Sequence, residues 1–198
     1  MTITDPLAVA GLVIAELEAL GARYSIGGSM ASAYAGEPRS TLDVDIVCDL
    51  SAAQARLLAM RLQREFYVDG LALERAVDNR TSANLIHIDS SVKIDLFIAG
   101  GTPLDEQLLQ RRMAVVSGSP PRELFVHTPE DILLQKLRWF RLGGEVSDRQ
   151  WRDIRGIVDT QGARLDRLYL HEGAAILGVV DLLQRAVPDA GSGGPSKN

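Results

Sequence analysis

Two short groups of residues near the start of the chain are suited to binding a phosphate and a metal ion. The apolar run Tyr24-Ser25-Ile26 leads into Gly27-Gly28-Ser29, and Asp43-Val44-Asp45 follows after a short helical stretch. Small residues ahead of a helix let backbone N–H groups approach a phosphate, whose negative charge the helix N-terminus favours. Two carboxylates two positions apart on a strand point to the same face, roughly 7 Å apart, and can share divalent cations. We therefore expect the turn to bind phosphate and the aspartates to bind metal.

A third carboxylate lies in a later strand-like run. Asp95 stands within residues 92–98, where alternation places the apolar residues on one face and Lys93, Asp95 and Phe97 on the other. The preceding run, residues 84–89, is separated from it by Ser90-Ser91, and this pattern predicts a hairpin. Three carboxylates beside a phosphate turn are what a two-metal phosphoryl-transfer site requires. We expect Asp95 to complete the set.

The spacing of these residues resembles that of the DNA polymerase beta-type nucleotidyltransferase superfamily. Gly28-Ser29, thirteen further residues, Asp43-Val44-Asp45-Ile46 and a later Asp95 between apolar residues carry the resemblance, which covers about residues 20 to 100. The run Arg39-Ser40-Thr41-Leu42-Asp43-Val44-Asp45 further resembles the minimal nucleotidyltransferases that include the abortive-infection AbiEii-type toxins.

The resemblance implies a role for each matching position. Gly28-Ser29 match the phosphate-gripping turn, Asp43 and Asp45 match two metal-binding carboxylates, and Asp95 matches the third, which in the superfamily helps to activate the attacking hydroxyl. The implied reaction is Mg²⁺- or Mn²⁺-dependent transfer of a nucleoside monophosphate from a nucleoside triphosphate to a hydroxyl, with release of pyrophosphate. The acceptor stays open between an RNA end, a protein side chain and a small molecule.

A lysine further along the chain is another candidate for binding the nucleotide. Lys136 lies mid-helix beside apolar residues, in a chain whose other lysines are Lys93 and Lys197. A partly buried ammonium needs a partner. Two interpretations are open: contact with the triphosphate, as a helical lysine makes in the toxin-like relatives, or snorkelling at the edge of a helix interface. Asp153 resembles part of an Arg-Asp-Ile stretch in those relatives, and an ion pair within its helix explains it equally well.

Composition limits the remaining possibilities. A chain of 198 residues with 46% hydrophobic residues can bury one good core. The net charge of -5 argues against nucleic-acid binding by overall charge and against long RNA as the acceptor. The single Cys48 excludes an internal disulfide, is predicted to be a small buried hydrophobe, and fits a reducing cytosol. No leader-like or membrane-spanning run is apparent, so we expect a soluble, cytoplasmic protein without a membrane partner.

The order of elements predicts an α/β (α+β) fold, a nucleotidyltransferase-type mixed sheet flanked by helices and followed by a helical C-terminal region. Helices are predicted over about residues 6–20, 51–66, 103–110, 128–142, 147–160 and 166–187, and strands over about 24–26, 43–47, 84–89, 92–98 and 113–116. The expected domains are a core over 1–126, a helical region over 127–187 that closes one side of the nucleotide cleft, and a disordered tail over 188–198.

Two other classes of function stay open. The first is a non-catalytic nucleotide-binding partner, such as one half of a toxin–antitoxin pair, although three intact carboxylates speak against it. A second copy of the chain or an antitoxin is the protein partner considered. The second class is a glycosyltransferase that uses Asp43-Val44-Asp45 to hold a sugar nucleotide through a metal, which would leave the glycine turn just upstream without a role.

Overall fold

A computed structural model describes residues 5–35, 42–100, 102–118 and 121–187. The chain divides into two compact units, Met1–Tyr34 with Pro38–Thr128 and Ala35–Glu37 with Pro129–Asn198. The predicted tail 188–198 and the run Arg39-Ser40-Thr41 lie outside the described residues. The domain boundaries expected at residues 126 and 187 stay a prediction.

The first unit is built on a mixed sheet. Its strands, within the described ranges, are β1 (Tyr24–Ile26), β2 (Asp43–Cys48), β3 (Phe66–Val68), β4 (Ser82–His87), β5 (Lys93–Ile98), β6 (Met113–Ser117) and β7 (Arg122–Val126). They form one seven-stranded sheet in the order β3-β4-β5-β2-β1-β7-β6. β2 runs parallel to β5 and β1 runs parallel to β7, whereas the other neighbours are antiparallel. This sheet confirms the predicted fold class.

Helices cover the buried side of the sheet. Those that begin before Thr128 are α1 (Pro6–Ala19), α2 (Gly28–Ala35), α3 (Ala52–Leu62), α4 (Gly70–Asn79) and α5 (Pro103–Arg111). α1, α3 and α4 contact strands of the sheet, and every second residue of β2 and β5 is buried. Ser51 and Gln54 form the predicted capping box at the start of α3. Cys48 is buried as predicted, and desolvation raises the pKa of its thiol to about 12, which makes it an inert hydrophobe.

The second unit is helical where the structure describes it. Its helices are α6 (Pro129–Leu142), α7 (Asp148–Gln161), α8 (Arg167–Leu177) and α9 (Val180–Ala186), with a 3₁₀ turn at Gly162–Arg164. Two buried acids in the first turn of α6 contact the start of α8, because Glu130 accepts the Asp166 backbone N–H and Asp131 accepts the Tyr169 hydroxyl. Over residues 5–35, 42–100, 102–118 and 121–187, no helix has the length and apolar character that crossing a bilayer requires.

The predicted boundaries of α3 and of the hairpin are wrong. The helix expected to reach Phe66 ends at Leu62, and Phe66 instead begins β3. The loop of the predicted hairpin is longer than Ser90-Ser91, because β4 ends at His87 and β5 begins at Lys93. The Ser90 hydroxyl lies 2.7 Å from His87 Nδ1, and this local bond organises the loop in place of a two-residue turn.

The predicted last helix, residues 166–187, is also wrong, since it is two helices. α8 ends at Leu177, and Gly178 adopts a left-handed φ of +67°, which terminates the helix before α9 begins at Val180. β3, α4 and β7 lie outside the predicted elements. The start of α4 does have a sequence signal, because Asp69 is an N-cap residue whose side chain accepts a hydrogen bond from the Ala72 N–H.

Candidate active site

The candidate site lies on the face of the sheet that the aspartates share. β2 and β5 are parallel neighbours whose register places Asp45 beside Asp95 and Asp43 beside Lys93. The residues between them on both strands are buried, so these four side chains lie on the opposite, accessible face. Adjacent strands are only about 4.8 Å apart. The register therefore places the three predicted carboxylates on one face of two neighbouring strands.

The predicted phosphate turn packs directly against Asp45. The Gly27 N–H donates a hydrogen bond of 2.8 Å to the Asp45 carbonyl, which ties the turn to β2. Gly28 opens α2 with a left-handed φ of +56°, and a Cβ atom there would lie 1.7 Å from Asp45 Oδ2. The Asp45 carboxylate thus occupies the space that any side chain at residue 28 would need. Ser29 follows, partly buried, in the first turn of α2.

The part of the turn that could hold an anion is the start of α2, not the Gly27 amide. The bond to Asp45 already uses the Gly27 N–H. The first N–H groups of an α-helix have no acceptors within the helix, and the helix dipole favours an anion beside them. Gly28 and Ser29 begin α2 and so lie at the end of the helix whose dipole favours an anion, and nucleotide binding by these residues stays a prediction.

His127 fills the space behind the glycine turn. Its ring is fully buried, its Nδ1 lies 2.7 Å from Ser25 Oγ, and a Cβ atom on Gly27 would lie 2.8 Å from its Nε2. Burial lowers the pKa of His127 to about 3, so the ring is neutral near pH 7. The position of this ring could not be predicted, because it depends on the parallel pairing of β7 with β1, where Ile26 lies opposite Val126.

A cation that the sequence analysis left without a role faces the carboxylates. Lys93 Nζ lies 2.8 Å from Asp95 Oδ2, with the two side chains 37% and 16% exposed. The hydrogen bond to Asp95 raises the pKa of Lys93, and the charges of Asp43 and Asp45 raise it further. The sequence had placed Lys93 on the same strand face as Asp95, and that was the signal that could have identified it.

The donor atoms of the site suit the predicted metal ion. Carboxylate oxygens are the hard ligands that Mg²⁺ and Mn²⁺ take in proteins. Within the part of the chain that the structure describes, no three His, Cys, Asp or Glu side chains are grouped closely enough to hold a metal ion. The Asp95 carboxylate is instead paired with Lys93. The residues therefore fit a divalent cation by chemistry, and metal binding by Asp43, Asp45 and Asp95 stays a prediction.

The other lysine predicted to bind nucleotide lies in the second unit. Lys136 Nζ, on α6, lies 3.0 Å from Asp153 Oδ2 on α7, and the two side chains are 17% and 22% exposed. The partner of the partly buried Lys136 ammonium is therefore an acid on the following helix. Asp153 accordingly forms an ion pair between two helices, and not an ion pair within its own helix. A contact between Lys136 and a triphosphate stays a prediction.

Comparison with solved structures identifies the fold. The solution structure of the antibiotic-resistance factor ANT(2'')-Ia is similar with a TM-score of 0.54 and 10% sequence identity, over 90% of this chain and 96% of that one. The crystal structure of an antigenic nucleotidyltransferase-like protein from Paracoccidioides brasiliensis is similar with a TM-score of 0.53 and 19% identity, over 91% and 87% of the two chains. No protein-family model and no curated protein sequence matches the chain. The chain has a nucleotidyltransferase-like fold.

Proposed function

We propose that the protein is a metal-dependent nucleotidyltransferase that moves a nucleoside monophosphate from a nucleoside triphosphate to a hydroxyl. One observation carries this proposal. The turn that opens α2 packs against the Asp45 carboxylate, which is itself in register with Asp95. A triphosphate bound at the N-terminus of α2 would therefore have its phosphates beside the carboxylates, in a nucleotidyltransferase-like fold.

The reaction needs groups that neutralise the negative charge of the triphosphate and that orient its phosphates. A nucleoside triphosphate carries about four negative charges, which oppose the approach of a nucleophile to its α-phosphorus. Asp43, Asp45 and Asp95 would hold Mg²⁺ or Mn²⁺, which when bound neutralises charge on the attacking and leaving oxygens. The helix N-terminus at Gly28 would orient the triphosphate. The acceptor oxygen forms the new bond to the α-phosphorus, the bond to pyrophosphate breaks, and the hydroxyl proton passes to Asp95.

A single substitution tests the proposal. Asp45→Asn should lower transfer by about 100-fold or more, because it removes a charged ligand at the reacting centre. Melting temperature should stay the same or rise slightly, since one of several clustered like charges is removed. Purified protein is incubated with labelled nucleoside triphosphates and with RNA, protein and small-molecule acceptors. Asp89→Asn, an exposed acid in the β4–β5 loop, is the matched control. Near wild-type transfer by Asp45→Asn would overturn the proposal.

Nucleotide binding can be tested separately from transfer. Without a divalent cation, the carboxylate face should repel the phosphates, so triphosphate affinity should be weaker in EDTA than in Mg²⁺ or Mn²⁺. Calorimetry under the two conditions measures the difference. Equal affinities would remove the metal from the proposed mechanism while leaving a nucleotide site.

One observation favours a second candidate, a nucleotide-binding partner without catalysis. A preformed catalytic centre would bring three metal-binding side chains together, and the described residues contain no such group. This candidate expects nucleotide binding with no transfer to any acceptor. The role in a toxin–antitoxin pair, the homodimer or antitoxin partner, the cytoplasmic location and the identity of the acceptor stay predictions. The glycosyltransferase alternative gains no support from the fold comparisons.

A further inference from the structure

We propose that Lys93 is a built-in counter-cation, which holds Asp95 in the nucleotide-free protein and keeps a divalent cation from using that carboxylate as a ligand. The observation behind it is the ion pair of 2.8 Å between Lys93 Nζ and Asp95 Oδ2. Lys93 is thus a positioning residue for Asp95. The consequence for catalysis rests on the proposed function, but the consequence for metal binding can be measured without it.

The strand geometry keeps the ammonium near all three carboxylates. Lys93 and Asp95 are two positions apart on β5, so their side chains share a face and lie roughly 7 Å apart at the backbone. The register places Lys93 beside Asp43 and Asp95 beside Asp45. The four-carbon stem of lysine lets the ammonium reach along the strand to Asp95 while its base stays next to Asp43. On the β2 side, Lys93 therefore lies near Asp43 and Asp45, in addition to Asp95 of its own strand.

The charge balance gives this arrangement its effect. A divalent cation at Asp43 and Asp45 would lie about one strand spacing from the positive charge of Lys93. That lysine is already paired with Asp95, the third carboxylate. Two positive charges on the metal and one on Lys93, about 5 Å apart, repel each other enough in water to weaken metal binding by about tenfold or more. A bound triphosphate would compete with Asp95 for the Lys93 ammonium. Asp95 would then be available as a metal ligand beside Asp43 and Asp45. Metal binding and nucleotide binding would then be coupled through Lys93.

The test measures Mn²⁺ binding to the full-length, nucleotide-free protein by calorimetry and by the electron paramagnetic resonance signal of free Mn²⁺. Lys93→Met keeps most of the apolar stem and deletes the charge, so it should tighten Mn²⁺ binding by about tenfold or more. Lys93→Arg keeps the charge and should bind Mn²⁺ as the wild type does. Arg56→Met is the matched control, because it deletes the cation of an Arg–Glu pair of 3.1 Å that joins α3 to α4.

The outcomes separate this inference from the proposed function. Tighter Mn²⁺ binding in Lys93→Met alone supports the counter-cation, and it does so even if no acceptor shows transfer. Equal Mn²⁺ affinity in Lys93→Met and the wild type overturns the inference, even if Asp45→Asn abolishes transfer. Equal tightening in Arg56→Met would show an effect of net charge and would also overturn it. Absence of Mn²⁺ binding in wild type and Lys93→Met alike overturns it as well. Circular dichroism verifies that each variant is folded, which the partial exposure of Lys93 favours.

Discussion

Substituting Gly28 by alanine tests the contact on which the proposed site depends. The new Cβ atom would lie 1.7 Å from Asp45 Oδ2, so the carboxylate must retreat by about 1.7 Å to reach ordinary contact. The backbone φ of +56° adds a second, independent cost, because alanine rarely adopts it. Gly21→Ala separates the two effects. Gly21 has a similar φ of +71°, and a Cβ atom there would meet no atom within 4 Å.

The two variants should differ by the cost of moving the Asp45 carboxylate. A left-handed conformation costs alanine about 1–2 kcal/mol, of which about 0.4–1 kcal/mol is offset by the lower entropy of the unfolded chain. Gly21→Ala should therefore lose about 0.5–1 kcal/mol. Gly28→Ala should lose that amount and a further ~0.5–1.5 kcal/mol, the cost of forcing a side chain off its rotamer. For a chain of this size each kcal/mol corresponds to about 2–4 °C in melting temperature.

Two measurements on Gly28→Ala and Gly21→Ala test whether the Asp45 carboxylate packs against the turn. Urea unfolding gives the stability difference, and Mn²⁺ titration reports on the Asp45 carboxylate. We expect Gly28→Ala to weaken Mn²⁺ binding and nucleotide transfer, while Gly21→Ala leaves both unchanged. If the two variants lost the same stability and Gly28→Ala bound Mn²⁺ like the wild type, the packing of Asp45 over the turn would be refuted.

Three further predictions concern residues around the site and in the second unit. Gly27→Ala should destabilise the fold by about 1–3 kcal/mol through the 2.8 Å approach of its Cβ to His127 Nε2, and urea unfolding would show it. Because the pKa of His127 is about 3 in the folded protein and takes the ordinary histidine value of about 6.5 in the unfolded chain, only the unfolded chain gains its proton between these values. Stability should therefore fall by about 1.4 kcal/mol per pH unit from pH 6 towards 3, and His127→Gln should flatten this slope. Lys136→Met should weaken triphosphate binding by about 1.5–3 kcal/mol with the fold intact, and an unchanged calorimetric affinity would leave Lys136 only its bond to Asp153.

Local rules predicted those elements whose signals lie within a few residues of each other. The capping box at Ser51 and the alternation along residues 93–98 are such signals, and both appear in the structure. Gly178 shows where these rules fail, because an isolated glycine inside a helical pattern is often tolerated, and only its backbone conformation ends α8. β7 was missed since its short run includes Arg122 and Glu123, and it joins the sheet by pairing with a distant strand.

In the candidate site too, some features follow from local sequence and others depend on how distant strands pair. The two-residue period of a strand is enough to place Asp43 with Asp45, and Lys93 with Asp95, on shared faces. It does not determine which carboxylate lies beside Asp95. A shift of two residues between β2 and β5 would preserve every face and set Asp43 opposite Asp95, leaving Lys93 beyond the aspartates. The observed register, with Asp45 opposite Asp95, depends on how the whole sheet pairs.

That register also explains why the glycine turn and Lys93 should act on the site independently. The turn is hydrogen-bonded to the Asp45 carbonyl and packs against the Asp45 carboxylate, so a change at Gly28 reaches the site through β2. Lys93 is paired with the carboxylate of Asp95, so a change there reaches the site through β5. The two aspartates meet only because their strands are in register. Weaker Mn²⁺ binding on altering Gly28 and tighter Mn²⁺ binding on altering Lys93 are therefore opposite consequences of one arrangement, in which the Asp45 carboxylate packs against the turn and the Asp95 carboxylate is paired with Lys93.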